Sequence, residues 1–200
     1  MYRSHRLADR ILDRGLETAG PETEPEHDHP ERVRYVPSDW HVLPRALRYL
    51  GVSSEDIFVD FGCGKGRVLH QAAKRPFRRV IGVEISPALA AIARRALAER
   101  SSQHRCGSVE VVVSDVADYE IPEDMTIGYF YHPFTDETFD SVLRRIVDSM
   151  DRHPRRVRLI YHLPIQKAKI LDTGRFRLLK EQRSRLLDIP GSQVALFESL

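Results

Sequence analysis

The sequence predicts an α/β fold, a doubly wound and mostly parallel sheet with helices on both faces and a C-terminal antiparallel hairpin. From residue 56 onward, short apolar runs typical of buried strands alternate with amphipathic stretches typical of helices. Near the C-terminus two further strand-like runs, 176–182 and 193–198, flank a segment that ends in Pro190 and Gly191, so they can pair as a hairpin. With the five preceding runs they make seven strands.

Length and composition restrict the class of protein. A chain of 200 residues favours one domain with a full hydrophobic core. The formal net charge of +2 gives no electrostatic argument for a nucleic-acid or membrane partner. No apolar run approaches the roughly 18 residues of a membrane span, and two cysteines, Cys63 and Cys106, form neither a disulfide framework nor a metal-binding pattern. We therefore expect a cytoplasmic protein without a metal ion.

The chain is expected to divide into an N-terminal arm, residues 1–34, and a domain, residues 35–200. Within residues 2–18, leucine and isoleucine recur at helical spacing and predict a short amphipathic helix. Residues 19–31 are rich in Pro, Glu, His and Asp, as is typical of mobile linkers. The arm would pack on the domain, close over a pocket as a lid, or contact a second subunit.

The elements of the domain follow from apolar periodicity and turn signals. A helix with Ser38 as its N-cap and Trp40 on its apolar side is predicted to end at Gly51. The five strands of the alternating region are predicted over residues 57–60, 79–84, 109–113, 126–131 and 157–161. The helices that connect or follow them are predicted over residues 65–74, 86–99, 136–150 and 165–171.

A glycine-rich turn, Asp60-Phe-Gly-Cys-Gly-Lys-Gly66, joins the first strand to the next helix. Glycine tolerates positive φ and has no Cβ that would hold a ligand away. A strand, a tight turn and a helix start bring backbone N–H groups against a nucleotide-like ligand. Lys65 and Arg67, at the start of the helix, are expected to face solvent; the alternative for Arg67 is that it reaches an anionic part of the pocket.

Polar residues close the predicted strands, and ligands of open α/β sheets bind at that edge. These residues are Asp60, Glu84, Ser114, Asp115, His132 and His162. Glu84 lies about 20 residues beyond the glycine turn, where a carboxylate can accept hydrogen bonds from both hydroxyls of a ribose. That position suits NAD as well as other adenosine cofactors.

Two features argue against a dinucleotide. Arg67 holds the position of the third glycine in G-x-G-x-x-G, and the third glycine, Gly66, comes one residue early. Asp60, just before the turn, would repel a pyrophosphate but suits a cationic group. A nucleoside triphosphate is also disfavoured, because no G-x-x-x-x-G-K-[ST] is present.

The motif from Asp60 to Gly66 resembles the first motif, acid-x-G-x-G-x-G, of the class I S-adenosylmethionine-dependent methyltransferases. Val80-Ile-Gly-Val-Glu84 is similar to the second-strand motif of that family, and Ser114-Asp115-Val116 to its third. The resemblance covers roughly residues 36–200. It implies a Rossmann-like, seven-stranded sheet with a reversed final hairpin, and S-adenosylmethionine as cofactor.

Transferred to this sequence, the family's motifs imply a role for each matching residue. Asp60 would lie near the methionine amine, Glu84 at the ribose hydroxyls and Asp115 at the adenine amine. All three cofactor groups donate hydrogen bonds to carboxylates. The expected cofactor-binding residues are Asp60, Gly62, Gly64, Gly66, Glu84, Ser114 and Asp115.

The fourth strand ends in Tyr129-Phe-Tyr-His-Pro-Phe134, which resembles the Asn/Asp-Pro-Pro-Tyr or Asn-Pro-Phe motif of family members that methylate nitrogen. His132 stands where that motif has Asn or Asp, and a histidine can also take a proton near neutral pH. The expected catalytic residues are therefore His132, His162 and Tyr131. The expected substrate contacts are Tyr35, Tyr131, Pro133 and Phe134, although these aromatic residues suit the core equally well.

The expected reaction is direct methyl transfer to a nitrogen or oxygen atom of a small molecule, favoured by the compact chain and the aromatic strand ends. A small-molecule acceptor is preferred to a protein, and no nucleic-acid or membrane partner is expected. Two alternatives stay open: a protein side-chain methyltransferase of the lysine type, and a module that binds S-adenosylmethionine without catalysis.

Overall fold

The computed structural model describes residue 18 and residues 37–131, 134, 136–183 and 193–200. The helices are α1 (Val42–Leu50), α2 (Arg67–Ala73), α3 (Pro87–Glu99), α4 (Asp136–Arg152) and α5 (Lys167–Asp172), with a 3₁₀ turn over Ser101–Gln103. The strands are β1 (Ile57–Phe61), β2 (Arg79–Glu84), β3 (Ser108–Val113), β4 (Ile127–Tyr131), β5 (Arg158–His162), β6 (Phe176–Arg183) and β7 (Gln193–Ser199). Among the described helices, none is long and apolar enough to cross a membrane.

One seven-stranded sheet has the order β3-β2-β1-β4-β5-β7-β6. Strands β1 to β5 pair in parallel, while β7 runs antiparallel to both β5 and β6. This arrangement confirms the predicted parallel sheet with a terminal antiparallel hairpin. The strand order reverses between β1 and β4, so the switch point, where such sheets bind ligands, lies beside the end of β1.

Helices cover both faces of this sheet and bury two apolar cores. On one face α1, α2 and α3 pack over β1, β2 and β4, with Leu43, Leu69 and Ala93 buried. On the other face α4 and α5 pack over β1, β4 and β5, with Phe139 and Ile170 buried. Because β1 is buried on both sides, its sequence is nearly all apolar, as expected for a central parallel strand.

The predicted element bounds agree with the structure to within two residues, with one exception. Helix α1 begins at Val42, so the prediction that Ser38 is its N-cap is wrong. His41 holds the N-cap position, and the Ser38 hydroxyl instead lies 3.0 Å from the Tyr129 hydroxyl. A helix cap competes with any tertiary partner for the same side chain, and here the tertiary partner prevails.

The predicted N-terminal arm lies outside the described residues, apart from Thr18. This threonine is fully buried, and its hydroxyl accepts a hydrogen bond of 3.0 Å from Arg67 Nε. The domain boundary and the role of the arm stay predictions.

Candidate functional site

The glycine-rich turn adopts a backbone conformation that only glycine takes without strain. Gly62, Gly64 and Gly66 have φ of 87°, 53° and 81°. The N–H groups of Gly62 and Cys63 both donate to the carbonyl of Val83, at 2.9 and 3.0 Å, which fastens the turn to the end of β2. The turn therefore passes from β1 to α2 beside the neighbouring strand.

Gly66 is also required by packing. A Cβ added there would lie 2.9 Å from the Cβ of Ala93 on α3, closer than side chains approach one another. The third glycine of the motif thus allows α2 and α3 to pack together, while the first two shape the turn. The sequence predicts the turn, but the contact with Ala93 appears only in the tertiary structure.

Glu84 braces the turn from the end of β2. One carboxylate oxygen accepts from the N–H of Gly64 at 2.8 Å, and the other accepts from the N–H of Ser86 at 2.9 Å. Each carboxylate oxygen has two lone pairs, so these bonds are compatible with further hydroxyl donors such as those of a ribose. Sequence reasoning assigned Glu84 a ligand role and missed this structural one, because it depends on a contact between adjacent strands.

Asp60 lies at the end of β1 and is only 2% exposed. Burial, and then the nearby Glu84 carboxylate, raise its pKa well above the usual value for aspartate. A cation bound beside two neighbouring carboxylates would relieve the repulsion between them and favour the ionised form of Asp60. The pair therefore fits the ammonium group of the cofactor that the sequence predicts.

Cys63, inside the turn, is buried, and burial followed by Asp60 and Glu84 raises the pKa of its thiol well above the usual value. A protonated, buried thiol packs as a small apolar group and is a poor nucleophile.

The loop after β3 carries Ser114 and Asp115. The N–H of Ser114 donates to the carbonyl of Glu84 at 3.0 Å, so the loop starts beside the end of β2. The Asp115 side chain accepts from the N–H of Ala117 at 3.0 Å, and both Ser114 and Asp115 are half-buried. The structure thus brings this predicted adenine-binding loop to the same sheet edge as Asp60 and Glu84. Its contact with adenine stays a prediction.

Across the switch point, Tyr131 and His162 face each other at the ends of β4 and β5. Their rings stack with centroids 4.1 Å apart and an angle of 14° between planes. His162 is 1% exposed, and its Nδ1 lies 3.3 Å from the Tyr129 hydroxyl, which in turn contacts Ser38. Tyr131 is only half-buried. The buried histidine therefore supports the Tyr131 ring, and Tyr131 is the member of the pair that a substrate can reach.

The other residues predicted to contact the substrate or to take part in catalysis are either buried in the core or outside the described residues. Phe134 is buried, 3% exposed, and its ring packs against Phe130 and Phe139. This burial favours the core role that the sequence left open, and its contact with a substrate stays a prediction. The other three, His132, Pro133 and Tyr35, lie outside the described residues, and their roles also stay predictions.

The prediction that Arg67 faces solvent is wrong. The side chain is 3% exposed, donates from Nη1 to the Ser38 carbonyl at 2.9 Å, and lies 4.8 Å from the centroid of the Trp40 ring. Through these contacts and its hydrogen bond to Thr18, the Arg67 side chain connects the start of α2 to the chain segments at Thr18 and at Ser38. These partners are 29 and 49 residues away in sequence, so local patterning could not show them.

Within the described part of the chain, no group of three His, Cys, Asp or Glu side chains is arranged to hold a metal ion. The site consists of the glycine turn, two buried carboxylates, one polar loop and an aromatic pair. An ammonium, a diol and a purine amine would each meet a suitable partner here, so the residues fit S-adenosylmethionine.

Comparison with known proteins agrees with this chemistry. A family model described as a methyltransferase domain matches residues 58–153. A protein-lysine N-methyltransferase of Saccharolobus islandicus (strain REY15A) is 37% identical over 99 residues, which make up 49% of this chain and 60% of that protein. The matched stretch thus spans less than two thirds of that relative.

Solved structures share the fold. An RNA methyltransferase from Salinibacter ruber in complex with S-adenosyl-L-homocysteine aligns with a TM-score of 0.57 and 23% identity, over 82% of this chain and 92% of that one. A TehB-like SAM-dependent methyltransferase from Corynebacterium glutamicum aligns with a TM-score of 0.57 and 18% identity, over 98% and 99%. From the sheet order, the motif geometry and these comparisons together, the chain has the Rossmann-like methyltransferase fold, residues 58–153 match a methyltransferase domain, and the site fits S-adenosylmethionine as cofactor.

Proposed function

We propose that this protein methylates an amine nitrogen, namely the side chain of a lysine in a protein substrate. The observation that carries the proposal is the 37% identity to a protein-lysine N-methyltransferase. The sequence predicts a small-molecule acceptor, which none of the relatives described above supports, and the lysine alternative becomes the stronger of the two.

Methyl transfer to lysine requires a side-chain amine that has lost its proton. The free amine has a pKa of about 10.4, so near neutral pH only a small fraction carries the lone pair that attacks the methyl group. A site that removes the ammonium from water lowers this pKa and increases the reactive fraction. Tyr131 offers such a place, because its half-buried aromatic ring can contact the alkyl stem and displace water from the amine.

The residues of the chain then have distinct tasks. S-adenosylmethionine supplies a methyl group activated on a sulfonium. The glycine turn and Glu84 hold a fixed backbone surface beneath the cofactor, and Asp60 attracts its ammonium. Tyr131 orients the acceptor amine, and the reaction is accelerated because the two reactants are held in line.

His162 is a positioning residue in this scheme. It is almost fully buried, and its Nδ1 is engaged with the Tyr129 hydroxyl, so it supports the Tyr131 ring from behind. His132 remains the predicted proton acceptor near the substrate.

The test is methyl transfer from labelled S-adenosylmethionine to a lysine-containing protein mixture, followed by mass spectrometry of the labelled peptides. The expected result is mono-, di- or trimethyl-lysine. A matched substrate in which the modified lysine is replaced by arginine should take up no label. Label found only on other residue types would contradict the proposal.

The second candidate is a small-molecule nitrogen or oxygen acceptor, favoured by the stacked Tyr131 and His162 at the strand ends, since such a pair also suits a planar ligand. Label that appears only in the acid-soluble fraction of an extract, with none in protein, would select this candidate. Cofactor binding without formation of S-adenosylhomocysteine in any extract would select the non-catalytic module.

A further inference from the structure

A second groove runs along α2 toward the end that lies away from the glycine turn. It has a volume of about 650 Å³ and lies between the residues before α1, the C-terminal part of α2 and the loop that leads into β3. The lining residues that matter here are Trp40, Gln71, Lys74, Arg75, His104 and Arg105. The methyl-transfer site uses none of them.

The groove is strongly positive. Lys74, Arg75 and Arg105 are exposed basic residues at its mouth, and among the described residues that line it none is acidic. The concentration of positive charge therefore favours an anionic ligand.

The positive charge is not needed to complete the end of α2. Basic residues near a helix C-terminus commonly interact with its last carbonyls. Here the carbonyl of Ala73 already accepts from the backbone N–H groups of Arg105 and Cys106, at 2.7 and 3.2 Å. The carbonyl of Ala73 therefore does not require a basic side chain as its partner.

Buried polar atoms at the base of the groove point to the same conclusion. Gln71 is 8% exposed, and among the described residues neither polar atom of its amide has a hydrogen-bond partner. The same holds for Nε1 of Trp40 and Nε2 of His104. Buried polar groups are nearly always satisfied, by protein, water or ligand. An oxyanion in the groove would offer acceptor oxygens to the Gln71 amide and the Trp40 indole N–H, which both line it.

Two histidines near Lys74, namely His70 and His104, have lowered pKa values. Burial, and then Lys74, His104 and Arg100, lower the pKa of His70 to about 4, and burial followed by Lys74 lowers that of His104. Both imidazoles are therefore neutral at physiological pH. A bound anion would offset the neighbouring positive charge and raise both pKa values.

We propose that this groove binds the phosphate group of a ligand, with Gln71 and Trp40 as donors at its base and Lys74, Arg75 and Arg105 as the positive mouth. Phosphate suits the groove because its oxygens accept from several directions and its charge matches several basic residues. The phosphate belongs either to a small phosphorylated molecule or to the backbone of a nucleic acid. The site is independent of the acceptor proposed above.

The single tryptophan of the chain makes the test direct. Inorganic pyrophosphate is titrated into the full-length protein while the indole N–H of Trp40 and the side-chain amide of Gln71 are followed by NMR. Both signals should shift and saturate together. The double variant Arg75→Glu/Arg105→Glu should bind at least about tenfold more weakly, since it removes two positive charges from the mouth of the groove and adds two negative ones. Gln71→Leu should also weaken binding.

The matched control is Arg145→Glu, an exposed arginine on α4, which packs on the opposite face of the sheet. It should bind pyrophosphate as the unmodified protein does, and S-adenosylmethionine binding should be unchanged in every variant, which verifies the fold. A short single-stranded RNA is titrated in parallel. Tighter binding of RNA than of pyrophosphate, with strong salt dependence, assigns the phosphate to a nucleic acid; the reverse order assigns it to a small molecule.

Absence of a saturable shift with both probes would overturn the proposal and leave water as the partner of Gln71. Equal affinity in the double variant and in the control would overturn it as well.

Discussion

Glu84→Gln should loosen the glycine turn and weaken cofactor binding together. The carboxylate accepts from Gly64 and Ser86, one donor on each oxygen. In glutamine one of these oxygens becomes an NH₂ group, so one backbone N–H would face another donor. The loss of one charge-assisted hydrogen bond, together with the unsatisfied N–H, corresponds to about 2–3 kcal/mol of unfolding free energy.

For a domain of this size that loss corresponds to a fall in Tm of about 4–12 °C. Thermal unfolding followed by circular dichroism measures it, and calorimetry measures the affinity for S-adenosylmethionine, which should fall at least about tenfold if a ribose hydroxyl bond is lost as well. The control is Glu99→Gln, an exposed glutamate at the end of α3, for which neither quantity should change.

The reasoning is refuted if the unfolding free energy of Glu84→Gln lies within about 0.5 kcal/mol of that of the unmodified protein, which is the range of ordinary surface substitutions. A large loss of stability with normal cofactor affinity would retain the structural role of Glu84 and reject its role at the ribose.

Three further predictions concern neighbouring residues. The raised pKa of Asp60 means that the ligand-free fold is favoured when this carboxyl is protonated, and the stability contributed by the protonated carboxyl is lost as pH rises through the raised pKa. A cationic cofactor binds the ionised carboxylate, so the affinity for S-adenosylmethionine should rise with pH over the same window. Asp60→Asn should abolish that pH dependence in calorimetric titrations. Gly66→Ala should cost about 2–4 kcal/mol of unfolding free energy by urea denaturation, from the left-handed φ and the contact with Ala93, and a loss under about 1 kcal/mol would contradict the packing argument. His162→Phe, which preserves the stack on Tyr131, should retain turnover to within about threefold, while His162→Ala should lose about tenfold or more; equal losses in both variants would indicate that the imidazole itself takes part in proton transfer.

Local signals in the sequence account for most of the fold. Apolar runs bounded by polar residues and glycines placed each strand, and the early third glycine with Asp60 before it pointed to a cationic nucleotide-like ligand. These signals work because hydrophobic periodicity and turn chemistry act over a few residues. The order in which the strands lie in the sheet was not predicted, since alternation of strand and helix allows several orders.

The contacts that distinguish this chain connect distant segments. Ser38 meets Tyr129, which is 91 residues away, and Arg67 meets Thr18 across 49 residues. In both cases the local rule gave the wrong answer, a helix cap for Ser38 and a solvent-facing side chain for Arg67. A side chain takes the partner with the more favourable buried interaction, and sequence spacing carries no information on which distant group becomes available.

By itself, the sequence determined the alternating α/β architecture, the glycine turn and the three acidic positions, Asp60, Glu84 and Asp115, because each depends on residue type and local spacing. Only the tertiary structure decided that Glu84 holds the turn it faces and that His162 lies buried behind Tyr131. It alone also assembled the basic groove beside Gln71. These features arise when strands and helices distant along the chain are packed at van der Waals distance, which fixes burial and hydrogen-bond partners at the same time.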